Sequence, residues 1–150
     1  MSIENKLKDL GIILPATANP AAAYVMVSQS GSLLFISGHI AKRQGAVWAG
    51  KLGQELTTEQ GKEAAKLIAV DLIATLKSHL GDLEKVKKIV KVMSLVNCTN
   101  DYTEQHIVTN GCSELLVEVF GEKGKHARSA FGVAQIPLGA CVEIEMIVEV

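Results

Sequence analysis

The sequence predicts an α+β two-layer sandwich, a mixed β-sheet with two long helices on one face. Two stretches, about 57–80 and 103–120, repeat apolar residues at helical spacing. Stretches rich in Val, Ile and Phe flank them, and the last strand alternates apolar and acidic residues. The resulting order, β-β-α-β-α-β-β, segregates the helices on one side of a sheet.

Each element has its own warrant. Ser2 to Leu10 reads as a short amphipathic helix stopped by Gly11, and a turn-rich stretch follows through Pro15 and Pro20. Tyr24–Ser28 and Ser32–Ile40 read as two strands about a Ser30-Gly31 turn. Lys42 to Leu56, with Gly45, Gly50 and Gly53 around Trp48, reads as a long mobile loop or ribbon. Trp48 is left open there as a lid or an interface anchor. Thr57 or Thr58 can cap the first long helix, whose apolar face carries Ala65, Ile68, Ala69, Leu72, Ile73, Leu76 and Leu80 before Gly81. Val86–Val96 reads as a strand. Asp101 or Thr103 can start the second helix, which faces inward with Val108, Cys112, Leu115, Leu116 and Val119. Ala127–Gln135 and Cys141–Val150 complete the sheet, joined through Pro137-Leu138-Gly139.

A chain of 150 residues fits a single domain, 1–150, with a sizeable buried core. The net charge of -1 and an aromatic content of 4% argue against nucleic-acid binding, and the charge gives no attraction to a membrane surface. Glu4, Lys6, Lys8 and Asp9 make the N-terminus unlike a signal peptide, and no apolar run is long enough to span a bilayer. Cys98, Cys112 and Cys141 are odd in number and form no CxxC pair, so no disulfide framework or thiolate zinc site is indicated. They read as small core or interface residues. His79, His106 and His126 show no ligand spacing, so no metal is expected. The plain reading is a reduced, soluble, cytoplasmic protein.

The chemistry points to Arg128. Strand alternation puts Arg128, Ala130, Gly132 and Ala134 on one face, with Ala127, Ser129, Phe131 and Val133 on the other. The small residues leave room beside a guanidinium, whose planar fork suits a carboxylate in two-point contact. Its partner is an acid of the protein or of a ligand. On the last strand Val142, Ile144, Met146, Val148 and Val150 form the apolar face, and Glu143, Glu145 and Glu149 point the other way. Three such glutamates are ordinarily solvated; Glu143 is singled out because it could share a chamber with Arg128. A tight hairpin about Leu138-Gly139 pairs Glu143 with about Ala134, leaving Arg128 roughly 20 Å away in the same subunit. The two would then meet only through a sharp bend or across a subunit interface, the sharper expectation, or they never meet.

GKHARSAFGVAQIPLGACVEIEMI resembles the C-terminal signature of the YjgF/RidA family, the reactive intermediate deaminases. AAAYVMV followed by LLFISGHI is similar to that family's N-terminal strand pair. The resemblance implies a chorismate-mutase-like fold, assembled as a homotrimer with sites between subunits, and hydrolysis of 2-imino or 2-enamino acids to 2-oxo acids and ammonia. It implies no metal and no organic cofactor. By matching position, Arg128 would bind the carboxylate of a small-molecule substrate, Glu143 would orient or deprotonate the attacking water, and Tyr24 would close one wall. Ser37, Gly38, Ala130 and Asn110 would complete the substrate-binding set, the backbone at Gly38 and Ala130 meeting the imine end. Taken on its own, Tyr24 is by default a half-buried structural tyrosine, and His39 reads as structural. Ala130 stands where many members have cysteine, and Ser113 and Leu116 replace aromatic residues common on the second helix. These departures reshape the pocket. A binding trimer that holds a 2-oxo or amino acid without chemistry is the alternative, and a ribonuclease or translation-inhibitor role stands further off.

Overall fold

The computed structural model describes every residue except Ala18 and Ala21, so part of the turn-rich segment and of AAAYVMV lies outside the described residues. The elements are α1 (Ile3–Asp9), β1 (Val27–Ser30), β2 (Leu33–Ile40), the short pair β3 (Lys42–Arg43) and β4 (Ala46–Val47), α2 (Thr58–Leu80), β5 (Lys88–Asn97), α3 (Gln105–Phe120), β6 (Ala127–Val133) and β7 (Val142–Glu149). The fold is α+β, with a mixed five-stranded sheet in the order β1-β2-β7-β5-β6. Only β5 and β6 run parallel, linked by the crossover helix α3.

Local chemistry sets the helix ends. The Thr57 hydroxyl accepts from the Gln60 N–H while the Gln60 side chain accepts from the Thr57 N–H, a reciprocal cap that starts α2. Gly81, at φ 75°, stops it. Neither Asp101 nor Thr103 caps α3, whose cap position is Glu104 with no side-chain bond to the helix. Asp101 instead accepts from the Thr99 hydroxyl, and Glu104 accepts from Thr58, so this segment ties the starts of the two helices together. Tyr24 precedes the first strand, which begins three residues later than its β-rich sequence suggested.

The expected hairpin between the last two strands is absent. β6 pairs with β5, placing Arg128 beside Val92, whereas β7 runs between β2 and β5. Burial explains the exchange. Val142, Ile144, Met146 and Val148 are at most 1% exposed, an apolar row that belongs in the middle of the sheet. β6 offers Arg128, Ala130 and Gly132 on the same side and has little to bury, which suits an edge. The 20 Å separation argued from a hairpin therefore does not apply.

One sheet face packs on α2 and α3, where Leu34, Ile36, Val92, Ile144 and Met146 meet Ala65, Ile68, Leu72, Cys112 and Leu116 in one core. Each fully buried aliphatic side chain there contributes roughly 1.5–3 kcal/mol. His39 also faces inward. Its Nδ1–H donates to the Ser37 carbonyl at 2.7 Å and its Nε2 accepts from the Thr75 hydroxyl at 2.8 Å. No helix among the described residues covers the other face, where Phe35 is 44% and Phe131 42% exposed. Of the loop or ribbon expected over 42–56, the ribbon forms at its start, where β3 pairs with β4, and Trp48 is neither an exposed lid nor an exposed anchor. Trp48 is buried in the core, its N–H donates to Ala41, its carbonyl accepts from Cys141, and Arg43 lies 4.2 Å over its ring.

The two long helices cross closely at glycines. A methyl group on Gly111 would overlap the Lys62 carbonyl oxygen, and one on Gly61 would press on Leu52 and Val108. Gly111→Ala should therefore destabilise the protein by about 1–3 kcal/mol in chemical denaturation, despite alanine's better helix propensity. Burial also holds the His39 pKa below its usual value. The unfolded chain then binds the extra proton, so stability falls as pH drops below about 6.5 towards the folded-state pKa. Thermal melts between pH 7 and 5 should show that slope, and His39→Gln should flatten part of it.

Candidate functional site

The residues singled out from sequence gather into two groups. The first surrounds Arg128 on the helix side of edge strand β6. His106, Asn110 and Ser113 lie at successive turns on one face of α3. Arg128 Nη1 donates to Asn110 Oδ1 at 2.8 Å and to Ser113 Oγ at 3.2 Å, and Nη2 donates to the His106 carbonyl at 3.1 Å. These bonds use three of the five guanidinium donors. The other two sit on Nε and Nη2. Ala130 is half-buried next along this side of β6, between Arg128 and the N-terminal end of α3. It pairs with Ser94, whose hydroxyl is buried without a hydrogen-bond partner. Behind Arg128, burial pushes the Cys112 thiol up to about 12, leaving it protonated and inert.

The second group lies on the open face. The ladder between β2 and β7 slips between Ile36 and His39, so Ser37 and Gly38 oppose Glu145 alone, a β-bulge. The Ser37 N–H donates to Met26 and its hydroxyl donates to the Val25 carbonyl at 2.6 Å. That clamps the segment carrying Tyr24 against the bulge, with Tyr24 55% exposed. Gly38 leaves the space that the Glu143 carboxylate fills: a methyl group there would overlap Glu143 Oε1. Burial first, then the neighbouring Glu145 charge, raises the Glu143 pKa above the ordinary glutamate value.

Arg128 and Glu143 are not brought together within one chain. Arg128 shares its sheet side with Val92 and Met146, and Glu143 is of opposite alternation on β7. Two strand spacings, roughly 10 Å, and the sheet itself lie between them. Two participants were not assigned to the Arg128 site from sequence: Ser113, read there as a departure that reshapes the pocket, and His126, read as lacking ligand spacing, are joined at 2.9 Å beside Arg128. The position of Ser113 three residues after Asn110 on one helix was the available clue; His126 had none until α3 docked. A separate cleft of about 590 Å³ at the C-terminal ends of β5 and β6 is lined by Lys51, Asn97 and Gln135. There Lys51 Nζ donates to Asn97 and to the Ala134 carbonyl, fastening the loop rather than presenting a free cation.

The family model described as "YjgF/chorismate_mutase-like, putative endoribonuclease" matches residues 4–150. The chain belongs to this YjgF/chorismate mutase-like family. Among relatives of this YjgF-family chain is Protein TCP17 of Trypanosoma cruzi, 46% identical over 145 residues, covering 95% of this chain and 91% of that one. The crystal structure of Atu1372, a protein of unknown function from Agrobacterium tumefaciens, superposes with a TM-score of 0.91 at 40% identity, covering 99% of this chain and 94% of that one. A structure from Shewanella oneidensis whose name carries the same endoribonuclease term superposes at 0.95 with 30% identity, each chain covered in full at 100%. The chorismate-mutase-like architecture is thus that of the family, and no helix among the described residues is long and apolar enough to cross a membrane.

The bulge predicts a selective effect. Gly38→Ala should leave stability nearly intact, because only the mobile end of Glu143 must move. The displaced carboxylate gains water, so its pKa should fall towards the ordinary glutamate value when followed by side-chain ¹³C NMR.

Proposed function

We propose that this YjgF-family protein is a hydrolytic deaminase that converts 2-imino or 2-enamino acids to 2-oxo acids and ammonia. The observation that supports it most directly is the held guanidinium of Arg128, with three donors committed to α3 and the Nε and Nη2 edge left for a ligand. That edge suits a substrate carboxylate in two-point contact. Holding the carboxylate fixes the adjacent C2 carbon, and orientation of this kind is a large part of what an already electrophilic iminium requires.

Glu143 is the base in this reading. Its pKa, raised by burial and by the neighbouring Glu145 charge, makes it a stronger base than an ordinary glutamate. It takes a proton from water as the oxygen bonds to C2, giving a carbinolamine. It then returns that proton to the nitrogen. As the C–N bond breaks, the carbinolamine hydroxyl gives its own proton to the carboxylate, which passes it to the departing ammonia, leaving a 2-oxo acid and an ionised Glu143. Since Arg128 and Glu143 lie on opposite sides of one sheet, the complete site requires Arg128 of one subunit and Glu143 of another. A homotrimer joined through the uncovered face, where Phe35 and Phe131 are exposed, is the proposed assembly. Tyr24, Ser37 and Gly38 would line the Glu143 side, and Asn110 and Ala130 the Arg128 side.

The test generates 2-iminopropanoate in place with an amino-acid oxidase and follows release of the keto acid. Wild type should accelerate it and Arg128→Ala should lose the acceleration. Glu143→Gln should retain 2-oxobutanoate binding but lose about 10²–10⁴ in rate. The acid limb of the wild-type profile should lie above the ordinary glutamate pKa, because the base must be ionised. A folded trimer that binds 2-oxobutanoate without turnover would instead support a regulatory binding role, and a monomer by light scattering would overturn the shared site. RNA cleavage, the activity in the family's description, has little electrostatic footing at a net charge of -1.

A further inference from the structure

The cluster behind Arg128 is a chain of hydrogen bonds whose directions can be assigned. The Gly124 carbonyl can only accept, so at 2.6 Å it fixes the proton of His126 on Nδ1. The His126 Nε2 is then an acceptor, and at 2.9 Å it takes the Ser113 hydroxyl proton. Ser113 is left with its lone pairs facing Arg128, whose Nη1 donates to it at 3.2 Å. Each bond orients the next, in the sequence Arg128 to Ser113 to His126 to Gly124.

The chain works only with a neutral imidazole. Burial first, and then the Arg128 charge, holds the His126 pKa down against the opposing pull of the Gly124 carbonyl. Lys125, next in sequence, pairs with Glu122 at 2.6 Å, and Lys91 of β5 lies beside Ala127 on the opposite face of the sheet. The serine and histidine resemble an activated nucleophile, but the guanidinium bond draws electron density from Oγ and occupies one of its lone pairs. That is the wrong arrangement for attack and the right one for holding a cation.

We propose that Ser113 and His126 are positioning residues that lock the Arg128 guanidinium with its Nε and Nη2 edge turned outward. The proposal rests on the reading of Arg128 as a carboxylate anchor. Without Ser113, one Nη1 proton loses its acceptor and the guanidinium can turn about its last bonds. Asn110 and the His106 carbonyl alone would hold it loosely. The cost then falls on binding rather than on the chemical step.

The experiment combines side-chain ¹⁵N NMR of the full chain with 2-oxobutanoate binding and imine kinetics. In the wild type His126 should show the Nδ1–H tautomer, and Arg128 should show separate, slowly exchanging Nη signals. Ser113→Ala should merge those signals, weaken 2-oxobutanoate binding and raise KM by roughly tenfold, as expected for one lost charge-assisted hydrogen bond, with little change in kcat. Ser113→Thr, which keeps the hydroxyl, should restore all three. An Nε2–H tautomer in the wild type overturns the proposal, as does Ser113→Ala with unchanged Arg128 signals and affinity. A wild type that neither binds 2-oxobutanoate nor turns over imine defeats the deaminase reading instead, and the NMR signals still decide the role of Ser113 and His126.

Discussion

The crossing of α2 and α3 at Gly61 and Gly111 is the constraint on which the rest of the molecule depends. Gly111 lies against the Lys62 carbonyl, so the axis of α3 can come as near α2 as backbone allows and can slide little along it. Asn110 is the neighbouring residue and Ser113 is two further on. Their oxygens therefore reach Arg128 at heights set by a backbone contact on the far side of the helix. A glycine with no chemistry of its own thus helps fix the geometry of the Arg128 guanidinium.

A second constraint is the unequal treatment of the two sheet faces. The helix side is packed and nearly dry, and it holds His39 and Cys112 in uncharged forms. The open side holds Glu143 at a β-bulge, partly desolvated yet accessible from solvent. A cation at the rim of one face and a base on the other cannot act on one small molecule inside a single chain. Exposed Phe35 and Phe131 on the open face supply the apolar area through which copies could associate. Assembly and chemistry are therefore one problem in the proposed mechanism.

Local sequence chemistry was enough for most elements. The Thr57 and Gln60 cap, the Gly81 stop, the helical spacing of Ile68, Leu72 and Leu76, and the alternation of Arg128 with its neighbours all act over a few residues. Such signals survive intact into the fold. In the 42–56 segment the ribbon was legible but the burial of Trp48 was not, because glycine spacing reports backbone freedom and not burial. Trp48 is held in the core by Ala41, Cys141 and Arg43, two of them within seven residues but one nearly a hundred residues away in sequence. The start of α3 misled differently, since Asp101 is taken up locally by the Thr99 hydroxyl and the helix begins at Glu104, whose carboxylate is held by Thr58 of the other helix.

The sequence by itself determined the α+β class, the two ends of α2, the side of β6 on which Arg128 stands and the family to which the chain belongs. Only the tertiary structure decided that β7 lies between β2 and β5, because a strand's own alternation says which face it buries but not which neighbours complete its ladder. It alone joined His126 to Ser113 and Arg128, and set Gly38 over Glu143. Those pairings depend on where whole helices and strands dock, and docking is decided by the shape and area of surfaces assembled from residues far apart in the chain.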